Sequence, residues 1–363
     1  MSSTVASFKI DYFQFLDESG QLVGEQQPPI AHDLNKLTEL YRLMVLCRTF
    51  DKKAVALQRT GKLGTYASLL GHEAAQVAIG AAMRDEDCFA PMYRDYATQI
   101  YRGVKMSEIL AYWGGDERGN DFSGPRHDFA WCVPIATQCL HAAGAALAYK
   151  LRKEPRCAVT VVGDGGSSKG DFLEAINAAS AYTLPMVLII MNNQWAISVP
   201  REKQNTAATL AQKGVAGGLP SIQVDGNDII ACHWAMDKAL QRARNGLGAS
   251  VIEIVTYRLS DHTTADDARR YRDNEEVEAA WGREPIKRLR TYLTDKNVWD
   301  DDKESALEDD CTEKVNQAVE EYLAYGYPGI DSMFDHMYAE LPHDLAAQKA
   351  QALAELTDEP EAH

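Results

Sequence analysis

The sequence predicts an α/β fold, a parallel sheet flanked by helices with a helical C-terminal extension, and two stretches carry that expectation. In the first, the apolar run Ala158 to Val162 meets Gly163-Asp164-Gly165-Gly166, where no side chain blocks a bound group. An alanine-rich helical stretch follows as far as Leu184-Pro185, and a second apolar run, Met186 to Met191, ends in Asn192-Asn193. In the second, Ser221 to Val224, a helix from about Asp228 to Arg244, and Val251 to Tyr257 repeat the order. Parallel strands joined in this way put their following loops at one edge of the sheet. Asp164 and Asn193 should therefore meet although 28 residues lie between them.

Residues 1–32 hold Phe8, Tyr12, Phe13 and Phe15, then Glu25-Gln26-Gln27-Pro28-Pro29, the pattern of an arm lying on a surface. Asp33 can cap a helix running to about Thr60, with Leu37, Leu40, Tyr41, Met44, Val45 and Val55 on its buried side and Gly61 as its stop. After a loop with Gly64, Tyr66 and Gly71, a short alanine-rich helix covers His72 to Met83, and Cys88 to Ala90 has strand character. That strand delivers Met92-Tyr93-Arg94-Asp95-Tyr96, where an arginine can meet an anion at the sheet edge or form an exposed ion pair. The glycines and prolines of 113–134 mark a long loop, and Ile135 to Leu151 a helix whose small residues Ala142 to Ala146 let another backbone approach. On the central helix, Leu173, Ala175, Ile176, Ala178, Ala179 and Ala181 form the apolar stripe. The polar loop Arg258 to Asp267 should lie at the same sheet edge as the glycine turn. Residues 275–357 have mostly helical character, with Asp300-Asp301-Asp302 and Asp309-Asp310 as a solvated acidic turn.

At 363 residues the chain can bury a large core, and 45% hydrophobic with 25% charged residues is ordinary for a globular protein. A net charge of −16 argues against nucleic acid or an anionic membrane as partner. No apolar run approaches a membrane span, and Met1 to Lys9 lacks a signal-like start, so the cytoplasm is the expected compartment. Seven cysteines without CxxC or paired spacing are expected as free buried thiols.

Asp and Asn oxygens beside open glycines suit a hard cation such as magnesium, which keeps part of its octahedron for phosphate and water. A glycine turn leading into a helix offers backbone N–H groups to the same phosphate, and Arg94 can add charge. Neither GxGxxG after a first strand nor GxxxxGK[ST] is present, so the dinucleotide and Walker readings lack their fingerprints. GDG followed by 26 residues and NN, however, resembles the thiamine diphosphate signature. LGTYASLLGHEAAQVAIG, MYRDYA, IATQ, NNQWAIS, EKQNTAATLAQK, IQVDGND and YRLSDHTTADDARRYR extend the likeness over about Leu63 to Arg272. Together they resemble the alpha subunits of the heterotetrameric, thiamine-diphosphate-dependent 2-oxo acid dehydrogenases.

What the resemblance implies is specific. Asp164 and Asn193 would be side-chain ligands of magnesium and the main-chain carbonyl of Trp195 a third. Tyr93 and Arg94 would hold the diphosphate, Gly165 and Gly166 would give it backbone contacts, and Val133 and Ile135 would touch the cofactor rings. His262, in DHTTADD, matches the family's catalytic histidine, whose ordinary pKa suits hydrogen bonding to a developing charge. His72 and His127 lie in other candidate loops, where a structural role is the commoner one. Thr263 and Thr264 stand where mammalian relatives carry a regulatory serine, so phosphorylation control is not expected.

The implied division is an N-terminal arm over 1–32, a diphosphate-binding α/β domain over 33–275 in the thiamine diphosphate-binding fold, and a helical extension of that domain over 276–363. The implied activity is oxidative decarboxylation of pyruvate with reductive acetylation of a lipoyl group on a partner acyltransferase. A branched-chain 2-oxo acid is the alternative substrate; half of a split transketolase and a non-catalytic structural subunit are more distant alternatives. The chain has room for one diphosphate domain and none for the pyrimidine-binding domain. Its glutamate is therefore expected from a separate beta subunit in an α2β2 heterotetramer.

Overall fold

The computed structural model describes residues 2–326 and 328–358. Six strands form one fully parallel sheet: β1 (Tyr12–Phe13), β2 (Cys88–Ala90), β3 (Ala158–Gly163), β4 (Met186–Asn192), then β7 (Ser221–Asp225) and β8 (Ser250–Val255). Between β4 and β7 a small antiparallel hairpin pairs β5 (Trp195–Ala196) with β6 (Val199–Pro200). The order across the sheet is β1-β7-β8-β4-β3-β2, so β8 inserts between β4 and β7 and the longest strands lie at the centre. Gly163 pairs with Met191 and Asn192 with Val255, which aligns the carboxyl ends of β3, β4 and β8.

Helices cover both faces, as the strand sequences require. Val159 and Val161 of β3 and Val187, Ile189 and Met191 of β4 enter one apolar cluster, while Ala158, Val162, Met186, Leu188 and Ile190 enter the other. Successive strand side chains point to opposite faces, so a strand buried on both sides reads as an unbroken apolar run. The first face carries α1 (Leu34–Arg59), α2 (Glu73–Ala82) and α9 (Ile229–Arg244). The second carries α5 (Thr137–Arg152) and α6 (Gly170–Ala181). The short helices α3 (Tyr96–Tyr101) and α4 (Met106–Trp113) follow β2, and α7 (Arg201–Gln204) and α8 (Gln212–Ala216) follow the hairpin. Then α10 (Asn274–Trp281), α11 (Pro285–Asp295), α12 (Asp301–Leu323) and α13 (His343–Asp358) complete the chain, with α11 and α12 packed on α1. The Asp33 carboxylate accepts from Lys36 N and caps α1, and Asp228 caps α9 through Ile230 N and Ala231 N.

Three local expectations change. Residues 1–32 reach deeper than an arm lying on a surface: Tyr12–Phe13 adds the sheet's edge strand beside β7, and Leu16 is fully buried. The peptide N–H groups of Phe15 and Leu16 both donate to the buried Asp228 carboxylate, which anchors the segment. On α6 the buried residues are Phe172, Ala175, Ile176 and Ala179, whereas Leu173 is 46% exposed. Ala175, Ile176 and Ala179 face the core as expected, and Phe172 joins them, while Ala178 is half-buried and Ala181 exposed. Asp309 and Asp310 lie inside α12 rather than in a turn, while Asp300 is its N-cap and Asp301 and Asp302 open its first turn.

Of the seven cysteines, six are buried and Cys132 is half-buried, and none is in a disulfide. Among the described residues no helix is long and apolar enough to cross a membrane.

Candidate active site at the carboxyl edge of the sheet

β3 delivers Asp164 to the sheet edge in a buried position, where its Oδ2 accepts from Gln204 Nε2 at 2.9 Å. Burial raises its carboxyl pKa, opposed by the Gln204 hydrogen bond and the Arg258 charge. Gly165 and Gly166 are required here by space. A Cβ at 165 would lie 2.4 Å from the Ala196 Cβ, and one at 166 would lie 2.6 Å from Val162 Cγ2 and 2.9 Å from Ile135 Cγ2. Lys213 binds the same turn, its Nζ donating to the Ser167 carbonyl at 2.7 Å. Burial lowers that lysine to about 8. Ile135, 44% exposed, lies over the glycine turn, and Val133 is 51% exposed beside the Met92–Cys132 bridge that aligns the two loops.

β4 ends in two asparagines that do different things. Asn192 donates to Glu253 Oε1 at 2.7 Å within the sheet. Asn193 turns instead toward the fully buried His72, with Nδ2 3.1 Å from its Nε2, while its own Oδ1 accepts from Trp195 N at 3.2 Å. Gln194 then adopts φ +73° and Ile197 φ +53°, left-handed conformations unusual for residues with side chains. They fold the hairpin back so that the Trp195 carbonyl accepts from Arg258 Nη1 at 3.4 Å.

Arg94 and His262 form the third group. Arg94, 2% exposed, donates from Nη1 to the Ser68 carbonyl and from Nη2 to the His262 carbonyl at 2.9 Å. Nη2 also lies 3.3 Å from His262 Nδ1. A guanidinium can only donate, so that contact assigns the imidazole proton to Nε2. Burial, then the Arg94 and Arg258 charges, lowers His262 to about 3 and keeps the ring neutral. Tyr93 meets the same ring edge-on at 6.2 Å.

The structure thus brings Tyr93, Arg94 and His262 together, joins Asn193 to Trp195, and sets Ile135 on the turn of Asp164, Gly165 and Gly166. His127 is exposed and makes no hydrogen bond with these groups among the described residues. Residues that the sequence reading did not single out are Gln204, Lys213, Asp51 and Arg258. Arg258, 0% exposed, donates to the Ile197 carbonyl at 2.9 Å and the Tyr271 hydroxyl at 2.8 Å. Gln204 and Lys213 lie within EKQNTAATLAQK, one of the stretches that carry the family likeness. A cleft of about 550 Å³ between Gly61–Gly64, Gly114–Asp116 and the end of α12 shares no residue with the cluster.

Two buried guanidiniums next to buried oxygen donors suit an anion carried with a hard cation. Comparison with known proteins gives that chemistry a family. The model described as "Dehydrogenase E1 component" matches residues 41–331. The chain is 39% identical over 334 residues to the pyruvate dehydrogenase E1 component subunit alpha of Acholeplasma laidlawii, covering 92% of this chain and 96% of the relative. The proteins of the same name from Staphylococcus epidermidis and Staphylococcus aureus are each 40% identical over 342 residues, covering 94% of this chain and 92% of theirs. The chain therefore belongs to the dehydrogenase E1 component family.

Proposed function

We propose that this chain is the alpha subunit of a pyruvate dehydrogenase E1 component, acting with a beta subunit in an α2β2 heterotetramer and passing an acetyl group to the lipoyl arm of a partner acyltransferase. The identity of about two residues in five over nearly the full length of relatives bearing that name supports pyruvate. The chemistry rests on one observation above the others. Arg94 and Arg258 are buried at the sheet edge, and neither guanidinium has an ion-pair partner among the described residues.

The residues present fit thiamine diphosphate with magnesium. Buried cations whose nearest carboxylates, here Asp164 and Asp266 near Arg258, lie beyond ion-pair distance favour a bound anion. Asp164, Asn193 and the Trp195 carbonyl are the hard oxygen donors magnesium takes. The glycine turn has no room for a Cβ, and Gln204 Oε1 is a buried acceptor without a protein partner beside that turn, placed to receive a water of the ion's shell. When bound, the cofactor supplies the carbanion chemistry that removes carbon dioxide from a 2-oxo acid.

The chain's own residues hold and orient. Asp164, Asn193 and the Trp195 carbonyl hold the ion; Tyr93, Arg94 and the N–H groups of Gly165 and Gly166 hold the diphosphate. Val133 and Ile135 pack against the rings, their exposure here leaving that face for the beta subunit. His262 is kept neutral with its proton on Nε2, so it donates one hydrogen bond to the reacting carbon's oxygen or to the incoming acceptor. The α/β domain takes its edge strand from the N-terminal segment and runs to 275, 276–363 is its helical extension, and the compartment is the cytoplasm.

Reconstitution with the beta subunit tests this reading. Decarboxylation of pyruvate should be faster than that of 3-methyl-2-oxobutanoate and should require both subunits. Full turnover by the chain alone, or a preference for the branched substrate, overturns it.

A further inference from the structure

We propose that His72 is a positioning residue for the metal site: its imidazole fixes the Asn193 carboxamide so that the oxygen, not the nitrogen, is presented to the cation. This rests on the reading of Asn193 as a ligand. His72 ends the segment before α2 and is fully buried, and both its ring nitrogens are taken up by protein groups, so it acts through Asn193.

Its two ring nitrogens have defined tasks. Nδ1 lies 2.9 Å from the Leu69 carbonyl, which can only accept, so Nδ1 carries the proton. Nε2 is then an acceptor, and at 3.1 Å it takes a hydrogen bond from Asn193 Nδ2. The other end of the same carboxamide agrees, because Oδ1 accepts from Trp195 N at 3.2 Å. A carboxamide rotated by half a turn is nearly the same shape and would offer an NH₂ to the cation. With the imidazole proton held on Nδ1, the rotated form would set two lone pairs against each other, so His72 selects the ligating orientation.

The support behind His72 is built to last. Asp51 on α1, buried, accepts from Tyr66 OH at 2.9 Å, Ser68 Oγ at 2.6 Å and Leu69 N at 2.7 Å, fixing the segment whose Leu69 carbonyl holds His72. The adjacent Ser68 carbonyl accepts from Arg94. One short segment therefore sets both Asn193 and the Arg94–His262 pair. Gly71 locks its far end: φ is +96°, and a Cβ there would lie 2.1 Å from the Tyr257 carbonyl.

The test uses the reconstituted α2β2 protein with His72→Leu and His72→Gln, titrating magnesium at fixed thiamine diphosphate by calorimetry and by tryptophan fluorescence. Glutamine keeps one donor and one acceptor; leucine keeps the bulk alone. H72L should weaken magnesium about 10- to 100-fold, the usual loss when an outer partner of a ligand is removed, and H72Q should recover most of it. Asn193→Ala combined with H72L should bind no worse than N193A alone. Equal magnesium affinity in H72L and wild type overturns the inference and leaves the cofactor reading standing. Equal losses in H72L and H72Q that track melting temperature mark a merely structural histidine and overturn it too. Wild-type binding of thiamine diphosphate indifferent to magnesium overturns both. Should H72L not fold, ¹⁵N-histidine spectra of the wild-type complex decide: a proton on Nδ1 supports the inference, and one on Nε2 overturns it.

Discussion

Buried arginines in this protein come in two kinds, and the contrast locates the site. Arg102 is bidentate on Asp128, with Nε to Oδ2 at 2.6 Å and Nη2 to Oδ1 at 2.7 Å. Arg288 meets Asp225 at 2.6 Å, and Arg48 meets Glu73 and Glu284, each at 2.7 Å. Arg94 and Arg258 are as deeply buried yet have carbonyls, a hydroxyl and an imidazole as acceptors. The first kind closes its charge inside the fold, tying the 113–134 loop to the end of α3 or α11 to the end of β7. The second leaves positive charge at the carboxyl edge of the sheet, which costs free energy in the empty protein and favours a bound anion.

That difference can be broken by exchanging the consequences of substitution. Arg102→Met or Arg288→Met strands a buried carboxylate and should cost about 3–5 kcal/mol of stability, read in denaturant melts. Arg94→Met strands none and should leave the melt within about 1 kcal/mol of wild type, while thiamine diphosphate binding falls more than about 100-fold. A large stability loss in R94M with cofactor affinity intact would erase the distinction.

Inorganic diphosphate with magnesium sharpens it next. At ten times its dissociation constant it should stabilise the wild-type chain by about 1.4 kcal/mol in a thermal melt and R94M hardly at all. Equal stabilisation of both would mean that the anion sits elsewhere.

Protons give an effect with a definite sign that accumulates over several pH units. His72 and His262 are each lowered to about 3, by burial first and the arginine charges next, against an ordinary 6.5. Between pH 6.5 and 3 the unfolded chain binds protons that the folded chain refuses, so stability from these rings is full above 6.5 and drains as pH falls toward 3. Burial raises Asp51 to about 6 and Asp95 to about 7, and these act oppositely: their contribution is full below 3.8 and is lost as pH rises through the folded values. His72→Leu should therefore flatten the acid side of a stability profile by up to about 1.4 kcal/mol per pH unit. R94M should move the His262 titration upward, visible by NMR, because one of the charges holding it down is gone.

Most of the sheet was legible because its central strands are apolar runs, β3 closed by glycine and β4 by asparagine, and that pattern survives any tertiary context. The alignment of the strand ends that carry Asp164 and Asn193 was legible for the same reason, since strand, turn, helix and strand fix both ends and Gly163 pairs with Met191. The edge strand Tyr12–Phe13 was not, being two residues whose pairing depends on β7 more than two hundred positions away. On α6 the core of the stripe was legible, but its first turn was not: Phe172 is buried and Leu173 exposed, a choice between adjacent apolar residues that periodicity alone does not make. Asp51, His72 and Arg258 act through contacts whose partners are separated in sequence, His72 from Asn193 by 121 positions, and a lone buried histidine or arginine carries no local sign of its partner.

The central claim is that the uncompensated edge is the diphosphate and magnesium half of a shared site. Calorimetric titration of thiamine diphosphate into the reconstituted complex, with magnesium and with a chelator, tests it most directly. One molecule bound per alpha chain, only with magnesium and only with the beta subunit present, is the predicted result. Equal affinity in the chelator, or full affinity for the isolated chain, would contradict it.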